Sequence, residues 1–344
     1  MVFCPLVGVD GTRSMAGKDE ATMAERVNRP GKNKRKRIIL IAYLALINPV
    51  IVILLLERFA FRGSGFPPPH LITPGLFSSS RPSQPGSWAL LINGGVSPKK
   101  NYGRYWNNIS LMAGTLKSLG WENIFVLNAD GLSPEPDQLK HAFLGYLRTG
   151  GIQDSPTDLD LDGRPDIQAA ATKAEMEKTM SVIGQRMKPG DSLFLFITDH
   201  GKLGRFSGRI QPYAGLWGDT LTGPELRQML ARNIPASSWV TIMAAQCWGK
   251  MFLDKVIRPN TLFITPARPN WIWSDQDYSV FPYHFCEALL GKKPKSGDPV
   301  EADRNADGRV TFREAFAYAR KNDHAPEWPV LWVIGDPAKM PDWF

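Results

Sequence analysis

The middle of the chain reads Asp191-Ser192-Leu193-Phe194-Leu195-Phe196-Ile197-Thr198-Asp199-His200-Gly201. Five consecutive apolar residues stand between polar ends, and so short an apolar run is typical of a strand that is buried on both faces. Such strands belong to parallel sheets, which helices cover on both sides. The stretch therefore predicts an α/β fold in which Asp199, His200 and Gly201 lie just beyond the carboxyl end of a strand.

Similar apolar runs lie on both sides of this strand, and amphipathic segments alternate with them. This alternation predicts a mostly parallel sheet between two layers of helices. Residues 87–344 are enough for one such domain. The predicted strands are residues 88–93, 123–127, 191–198, 239–245 and 262–265, and the predicted helices are residues 104–119, 167–188, 224–232, 281–291 and 312–321.

A cysteine follows the predicted strand 239–245, in the sequence Gln246-Cys247-Trp248-Gly249. If this strand neighbours the strand that precedes His200, both side chains emerge at the same edge of the sheet. A thiolate that attacks and an imidazole that handles protons are the two parts of nucleophilic catalysis. The backbone N–H groups of Gly201 and Cys247 would then form an oxyanion hole. A buried structural cysteine and a structural histidine are the alternatives.

Residues 87–330 resemble the clan CD cysteine peptidases of the caspase-like, legumain type (peptidase C13). This resemblance implies a caspase–haemoglobinase fold, a three-layer sandwich with a mostly parallel sheet. It also implies cleavage of peptide bonds by a Cys–His dyad, with Cys247 as nucleophile, His200 as acid and base, and Gly201 as an oxyanion donor. The motifs that carry the resemblance are Phe196 to Gly201, Met243 to Cys247, Leu91 to Gly95, Asn101 to Trp106, Asp158 to Ile167 and Trp273 to Tyr283.

The sequence departs from this family directly after the cysteine. The family commonly continues with x-Ser-Gly, whereas Cys247 is followed by Trp248-Gly249-Lys250. Two other functions therefore stay open. One is a transamidase or transpeptidase of the same fold, which passes the acyl group to an amine. The other is a catalytically degenerate, calcium-dependent binding module.

The resemblance places the substrate pocket in the segments after the third and fifth predicted strands. Those segments contain the acidic residues Asp219, Asp275 and Asp277. Carboxylates in the pocket would favour a basic or amide side chain before the scissile bond. Acidic residues in surface loops are the alternative explanation.

Two acidic loops match the spacing of calcium ligands. Ca²⁺ takes six to eight oxygen ligands, which an EF-hand loop supplies at positions 1, 3, 5, 7, 9 and 12 around a glycine at position 6. The sequence therefore predicts structural Ca²⁺ in both loops, with a solvated acidic turn or a helix cap as the alternative. The predicted ligands are Asp303, Asn305, Asp307, Arg309 (through its carbonyl) and Glu314 in the later loop, and Asp158, Asp160, Asp162 and Asp166 in the earlier one, where Ala169 stands at position 12.

The N-terminal part of the chain predicts a membrane anchor. A basic tail (residues 1–37) precedes nineteen uncharged, mostly apolar residues (38–56), which as a helix are about as long as a bilayer is thick. A linker rich in Pro, Ser and Gly (57–86) follows. The positive-inside rule places the tail in the cytoplasm and the catalytic domain in the periplasm or outside the cell, with a single pass through the cell (inner) membrane. A cleaved signal peptide is the alternative.

The charge distribution does not indicate a nucleic-acid-binding face, and the basic run 32–37 is explained more simply by membrane topology. The net charge is +8, but residues 1–62 hold 11 Lys and Arg against 5 Asp and Glu, so most of the excess lies at the N-terminus. Three cysteines are too few for a disulfide-built scaffold or a cysteine-rich zinc module. The expected partners are a protein or peptide substrate and the lipid bilayer, and no organic cofactor is expected.

Overall fold

The computed structural model describes residue 84 and residues 86–139, 151–266, 272 and 277–341. The strands are β1 (Ser87–Asn93), β2 (Asn123–Asn128), β3 (Gln138–Leu139), β4 (Ile152–Gln153), β5 (Ile167–Ala169), β6 (Ser192–Thr198), β7 (Gly201–Phe206), β8 (Arg209–Leu216), β9 (Asp219–Thr222), β10 (Trp239–Ala245), β11 (Thr261–Thr265) and β12 (Val330–Ile334). The helices are α1 (Gly103–Ser118), α2 (Lys173–Arg186), α3 (Gly223–Asn233), α4 (Gly249–Leu253), α5 (Val280–Leu290) and α6 (Phe312–Asn322).

Seven strands form one sheet in the order β12-β11-β10-β6-β1-β2-β5. Every neighbouring pair is parallel except β11 and β12, which are antiparallel. The predicted α/β class with a mostly parallel sheet is therefore confirmed. Strand β6 lies between β1 and β10, so the residues that follow it are flanked by the ends of two other parallel strands.

All seven residues of β6 are buried, which explains why its sequence is almost wholly apolar. Phe194 and Phe196 pack into the core on one face of the sheet, whereas Leu193, Leu195 and Ile197 pack into the core on the other. Full burial of such a side chain contributes roughly 1.5–3 kcal/mol. The strand is thus packed on both faces, and the position of its carboxyl end is fixed.

Helices cover both faces of the sheet. Side chains of α1, α5 and α6 form the first core, and side chains of α2, α3 and α4 contribute to the second. The described residues therefore form three layers, as the alternation of strands and helices predicts.

One predicted helix begins later than its sequence pattern indicates. Residues 167–188 were expected to be helical, but Ile167–Ala169 form β5 beside β2, and α2 begins only at Lys173. The hydroxyl of Thr172 accepts a hydrogen bond from the backbone N–H of Glu175 at 3.2 Å and caps the helix there. The periodicity of apolar residues does not locate a helix cap, and the predicted start of this helix at residue 167 was therefore wrong.

A second, antiparallel sheet of β7, β8 and β9 starts directly after β6. This second sheet was not predicted from the sequence. Gly201 pairs with Ala214, and the backbone N–H of Gly215 donates to the carbonyl of His200 at 2.7 Å. This small sheet therefore fixes the chain at and directly after the histidine, and β6 fixes it before the histidine.

The predicted anchor, residues 38–56, lies outside the described residues. Within the described part of the chain, the helices are all too short or too polar to span a bilayer.

Candidate active site

The two predicted catalytic residues follow paired positions of neighbouring strands. Thr198, the last residue of β6, is in register with Ala245, the last residue of β10. A Cβ atom added to Gly201 would lie 1.8 Å from the carbonyl oxygen of Cys247, so the two backbones are in direct contact. Any side chain at Gly201 would push these segments apart. The structure therefore brings His200, Gly201 and Cys247 together at one edge of the sheet.

Residues with unusual backbone conformations flank this pair. Asp199, just before the histidine, has φ of 125°, and Trp248, just after the cysteine, has φ of 63°. L-amino acids rarely adopt these angles, and each such residue costs on the order of 1–3 kcal/mol. Conformations of this kind persist only where the surroundings enforce them, and they cluster at functional sites. Two of the eight described non-glycine residues with positive φ therefore lie directly beside the predicted catalytic pair.

The imidazole of His200 is enclosed by residues of the β1–α1 connection and of the first turn of α1. Its Nε2 lies 3.2 Å from the carbonyl oxygen of Lys100. The rings of Tyr102 and Tyr105 stand edge-on to it, with centroids 5.6 and 5.4 Å away. A carbonyl oxygen only accepts, so Nε2 carries the proton and Nδ1 is the acceptor.

Burial lowers the pKa of His200 to about 3, and the guanidinium of Arg104 lowers it further. The imidazole is therefore neutral at neutral pH in this state. A neutral imidazole with a protonated Nε2 has its Nδ1 lone pair available to accept a proton from a thiol.

The cation of Arg104 stacks over the two tyrosine rings that contact the histidine. Its guanidinium carbon lies 4.4 Å from the centroid of Tyr102 and 4.8 Å from that of Tyr105. Arg104 also donates to the hydroxyl of Tyr105 at 3.2 Å. No functional role was predicted for these three residues from the sequence. Their position at the start of a helix after β1, beside the end of β6, was the available signal.

Asp199 is buried next to the histidine. Its Oδ1 lies 3.9 Å from His200 Nε2. Burial raises the pKa of its carboxyl well above the usual range, and the backbone N–H of His200 and the charge of Arg104 offset only part of this. The uncharged carboxyl is therefore favoured, so Asp199 is poorly suited to hold an imidazolium as a charged partner.

The glycine after the cysteine has a packing function. A Cβ atom on Gly249 would lie 2.2 Å from Thr265 Oγ1 at the end of β11. Gly249 also begins the short helix α4. A glycine at this position, directly after Trp248, thus allows α4 to pack closely on β11. Beside it, Gln246 is buried, and neither polar atom of its carboxamide has a hydrogen-bond partner among the described residues.

The predicted substrate-binding acids are held by lysines where the structure describes them. Asp219 begins β9 and lies 3.3 Å from the ammonium of Lys173. Asp277 lies 2.8 Å from the ammonium of Lys295. Asp275 lies outside the described residues. The first two carboxylates are therefore already partly neutralised by neighbouring cations.

The ammonium group of a lysine from α1 lies between the carboxylates of the earlier acidic loop. One carboxylate oxygen each of Asp158, Asp160 and Asp166 lies within 4.8 Å of the other two. In the described part of the chain, this is the one group of three or more His, Cys, Asp or Glu side chains that are close enough to share a metal ion. Lys117, in the last turn of α1, lies 2.6 Å from Asp160 Oδ2 and 2.6 Å from Asp166 Oδ1. A calcium ion here would compete with this ammonium for the same oxygens.

In the later loop the predicted ligands bond to backbone N–H groups. Asp303 Oδ2 accepts from Gly308 at 2.8 Å, and Asp307 Oδ1 accepts from Arg309 at 2.8 Å. Glu314 Oε1 accepts from Arg304 at 2.9 Å. The oxygen-rich donor set fits Ca²⁺ in kind. Calcium binding stays a prediction.

No protein-family model matches the chain, and no curated protein sequence matches it. Among solved structures, the chain is similar to protein GSU0716 from Geobacter sulfurreducens, with a TM-score of 0.50 and 13% identity, over 74% of this chain and 97% of that one. This likeness shows the fold alone. The Drosophila initiator caspase Dronc also matches, with a TM-score of 0.37 and 6% identity over 72% of this chain and 79% of that one, which is too distant to support an argument.

Proposed function

We propose that this protein is a membrane-anchored cysteine endopeptidase that uses Cys247 as nucleophile and His200 as general base. The observation that carries the proposal is the meeting of the two residues beyond paired ends of β6 and β10, where Gly201 contacts the carbonyl of Cys247. The strained residues on either side, Asp199 and Trp248, support it.

In the proposed reaction, Nδ1 of His200 takes the proton of the Cys247 thiol, and the thiolate sulfur attacks the carbonyl carbon of the scissile peptide bond. The N–H groups of Gly201 and Cys247 stabilise the oxyanion. The C–N bond then breaks, and the imidazolium returns its proton to the leaving amine. Water, deprotonated by the same imidazole, hydrolyses the thioester, and the thiol is restored.

The caspase-like, legumain-type assignment is part of the proposal. It is supported by the order of the motifs along the chain and by the sheet order, in which β6 and β10, the strands before the histidine and the cysteine, are parallel neighbours. The anchor at residues 38–56, a catalytic domain outside the cytoplasm and structural calcium are proposed on the sequence alone.

A transferase of the same fold is the second candidate of the enzyme class, because the same acyl-enzyme would react with an amine. A calcium-dependent binding module is the candidate of another class. The left-handed Trp248 next to the nucleophile favours it, because this residue shapes the loop that would receive the substrate.

The test is thiol labelling of the full chain by peptidyl acyloxymethyl ketones that differ in the residue before the scissile bond. Wild type should be labelled by one class of probe, and Cys247→Ala should lose the label completely. His200→Ala should label at least about 100-fold more slowly, because the general base is absent. Added amines then separate hydrolase from transferase by their products.

The other described cysteine is the matched control. Cys286 is buried on α5, and burial raises the pKa of its thiol to about 12, so it is not expected to react. Cys286→Ala should therefore keep the full label. Equal labelling of wild type and Cys247→Ala would overturn the proposed nucleophile. A complete absence of labelling with every probe, with and without calcium, would favour the binding module.

A further inference from the structure

Five buried polar side chains form a closed ring of hydrogen bonds at the carboxyl ends of β1 and β2. All five side chains are at most 3% exposed. The ring was not predicted from the sequence. Its members, in the order of their contacts, are Asn93, Asn101, Asp137, Ser155 and Asn128.

Each contact of the ring has ordinary hydrogen-bond geometry. Asn93 Nδ2 donates to Asn101 Oδ1 at 3.1 Å and to Asn128 Oδ1 at 2.8 Å. Asn101 Nδ2 donates to Asp137 Oδ2 at 3.3 Å and to its backbone carbonyl at 3.1 Å. Ser155 donates to Asp137 from both its backbone N–H, at 2.7 Å, and its hydroxyl, at 2.8 Å.

A ring of this kind has a physical consequence. Buried polar groups are costly unless their hydrogen bonds are made, so a complete network favours a single arrangement of its members. The carboxylate of Asp137 accepts three of these bonds, and Asp137 is the one acid in the ring. Burial raises its pKa to about 6, and the hydrogen bonds from Ser155 oppose this. At pH 8 the carboxylate is therefore ionised.

The ring is connected to the histidine through the chain next to Asn101. The preceding residue is Lys100, whose carbonyl oxygen accepts from His200 Nε2. The backbone of Asn101 is fixed as well, because its N–H donates to Ser97 at 2.9 Å and its carbonyl accepts from Leu139 at 2.8 Å. Displacement of Asn101 would move the Lys100 carbonyl away from the imidazole.

We propose that Asp137 is a positioning residue for His200, acting through Asn101 and the Lys100 carbonyl. Asp137 thereby fixes the orientation of the imidazole and its Nε2–H tautomer, which leave Nδ1 available for the thiol of Cys247. The proposal rests on the proposed function for its catalytic consequence, but the orientation of the imidazole can be measured without any substrate.

The experiment compares Asp137→Asn with Ser155→Ala in the full chain at pH 8. Asparagine has the shape of aspartate, but its amide NH₂ faces donors, so the hydrogen bond from Asn101 Nδ2 to the Asp137 side chain is lost, whereas the bond to the Asp137 backbone carbonyl stays. Ser155→Ala removes one donor on the other side of Asp137 and leaves that link intact. Peptide hydrolysis gives kcat and KM, and ¹⁵N shifts of labelled histidine, assigned by comparison with His200→Gln, report the tautomer.

For Asp137→Asn we expect kcat to fall about 10- to 100-fold, as for a small misplacement of a catalytic group, with KM changed less than about twofold. The two ring nitrogens of His200 should move towards averaged shifts. Ser155→Ala should lower kcat less than about threefold and leave the shifts in place. In a double-mutant cycle, Asp137→Asn should add little to Asn101→Ala, because both remove the same link.

Wild-type kcat and wild-type nitrogen shifts in folded Asp137→Asn would overturn the proposal, whatever the loss in Tm. If wild type hydrolyses no peptide, the proposed function fails, and the shifts alone decide whether Asp137 positions His200. If Asp137→Asn does not fold, Asn101→Ser breaks the same link from the other side and is measured in the same way.

Discussion

The two acidic loops have the same backbone conformation but different charges around it. In each, the first aspartate accepts a hydrogen bond from the glycine five residues later at 2.8 Å, Asp158 from Gly163 and Asp303 from Gly308. The fourth residue of each loop, which precedes Asp162 or Asp307, has positive φ, 62° at Leu161 and 57° at Ala306. Two distant sequences have thus folded into one loop type.

The loops differ in what meets their carboxylates. In the earlier loop the ammonium of Lys117 binds Asp160 and Asp166. In the later loop, Glu314 folds back to accept from the backbone of Arg304 and Thr311, and no described cation comes within 4 Å of Asp303 as an ion pair. The carboxylates of the earlier loop are thus paired with a lysine of α1, whereas those of the later loop have no such ion pair among the described residues. This difference favours the prediction that the later loop depends more on a divalent cation than the earlier loop does.

The strongest test of this difference is calcium itself. If the later loop binds Ca²⁺, free calcium at a hundredfold excess over Kd should raise the free energy of unfolding of the wild type by about 2.7 kcal/mol. Glu314→Gln should abolish this increment, because the amide cannot act as a bidentate carboxylate. Urea unfolding in calcium and in chelator measures both.

Asp166→Asn in the earlier loop is the control for that prediction. It should leave the calcium increment unchanged, because Lys117 already holds the carboxylates there. An increment that survives Glu314→Gln but disappears in Asp166→Asn would reverse the assignment of the two loops.

Removing the lysine should make the earlier loop resemble the later one. For Lys117→Met we expect a loss of about 2 kcal/mol in chelator, between the values for exposed and buried ion pairs. Calcium should restore part of it, because three carboxylates then lie within 4.8 Å of one another without a cation. Lys178→Met, which removes an exposed partner of Glu175, is the control and should cost less than about 0.5 kcal/mol.

The contrast also shows what the sequence could predict. The strand β6 and both acidic loops are encoded in consecutive residues, so their patterns predict them. The ion pairs of Lys117 join residues separated by 43 and 49 positions, and no local pattern records them.

The same holds at the candidate active site. The ends of β6 and β10 predict His200 and Cys247 at one edge, because both residues directly follow apolar strands. The partners of the histidine, Lys100 and the rings of Tyr102 and Tyr105, depend on how the β1–α1 connection folds over that edge. That path is set by the buried ring around Asp137, whose members come from separate parts of the chain.

A smaller effect on the free energy of unfolding is expected when the pH is lowered. Burial alone would raise the pKa of Glu314, but hydrogen bonds from the N–H groups of Thr311 and Arg304 outweigh it, so the pKa is lowered. A lowered pKa means that the ionised side chain stabilises the fold above the pKa of the unfolded chain, about 4.3, and that this is lost as the pH falls through the folded value.

In chelator, the difference in unfolding free energy between wild type and Glu314→Gln should therefore be constant from pH 7 to about 5 and shrink below about 4.3. We expect it to be smaller than the effect of Lys117→Met, because Glu314 is partly exposed. A difference that grows on acidification would contradict the lowered pKa.

The smallest expected effect tests whether the two loops really share a conformation. A left-handed residue with a side chain costs roughly 1–2 kcal/mol relative to glycine, and glycine adds about 0.4–1 kcal/mol of unfolded-chain entropy. Ala306→Gly and Leu161→Gly should therefore each stabilise the protein by about 0.5 kcal/mol. Ala317→Gly, within α6, should instead destabilise it by about 1 kcal/mol.

Equal gains at Ala306 and Leu161 would mean that the loops differ in charge alone, so that any difference in calcium dependence comes from Lys117 and Glu314. A gain at Ala306 with a loss at Leu161 would mean that the leucine side chain packs in a way its 41% exposure does not suggest. In that case the two loops would differ in packing as well as in charge. A difference in calcium dependence between them could then not be assigned to charge alone, and each loop would need its own reference variant.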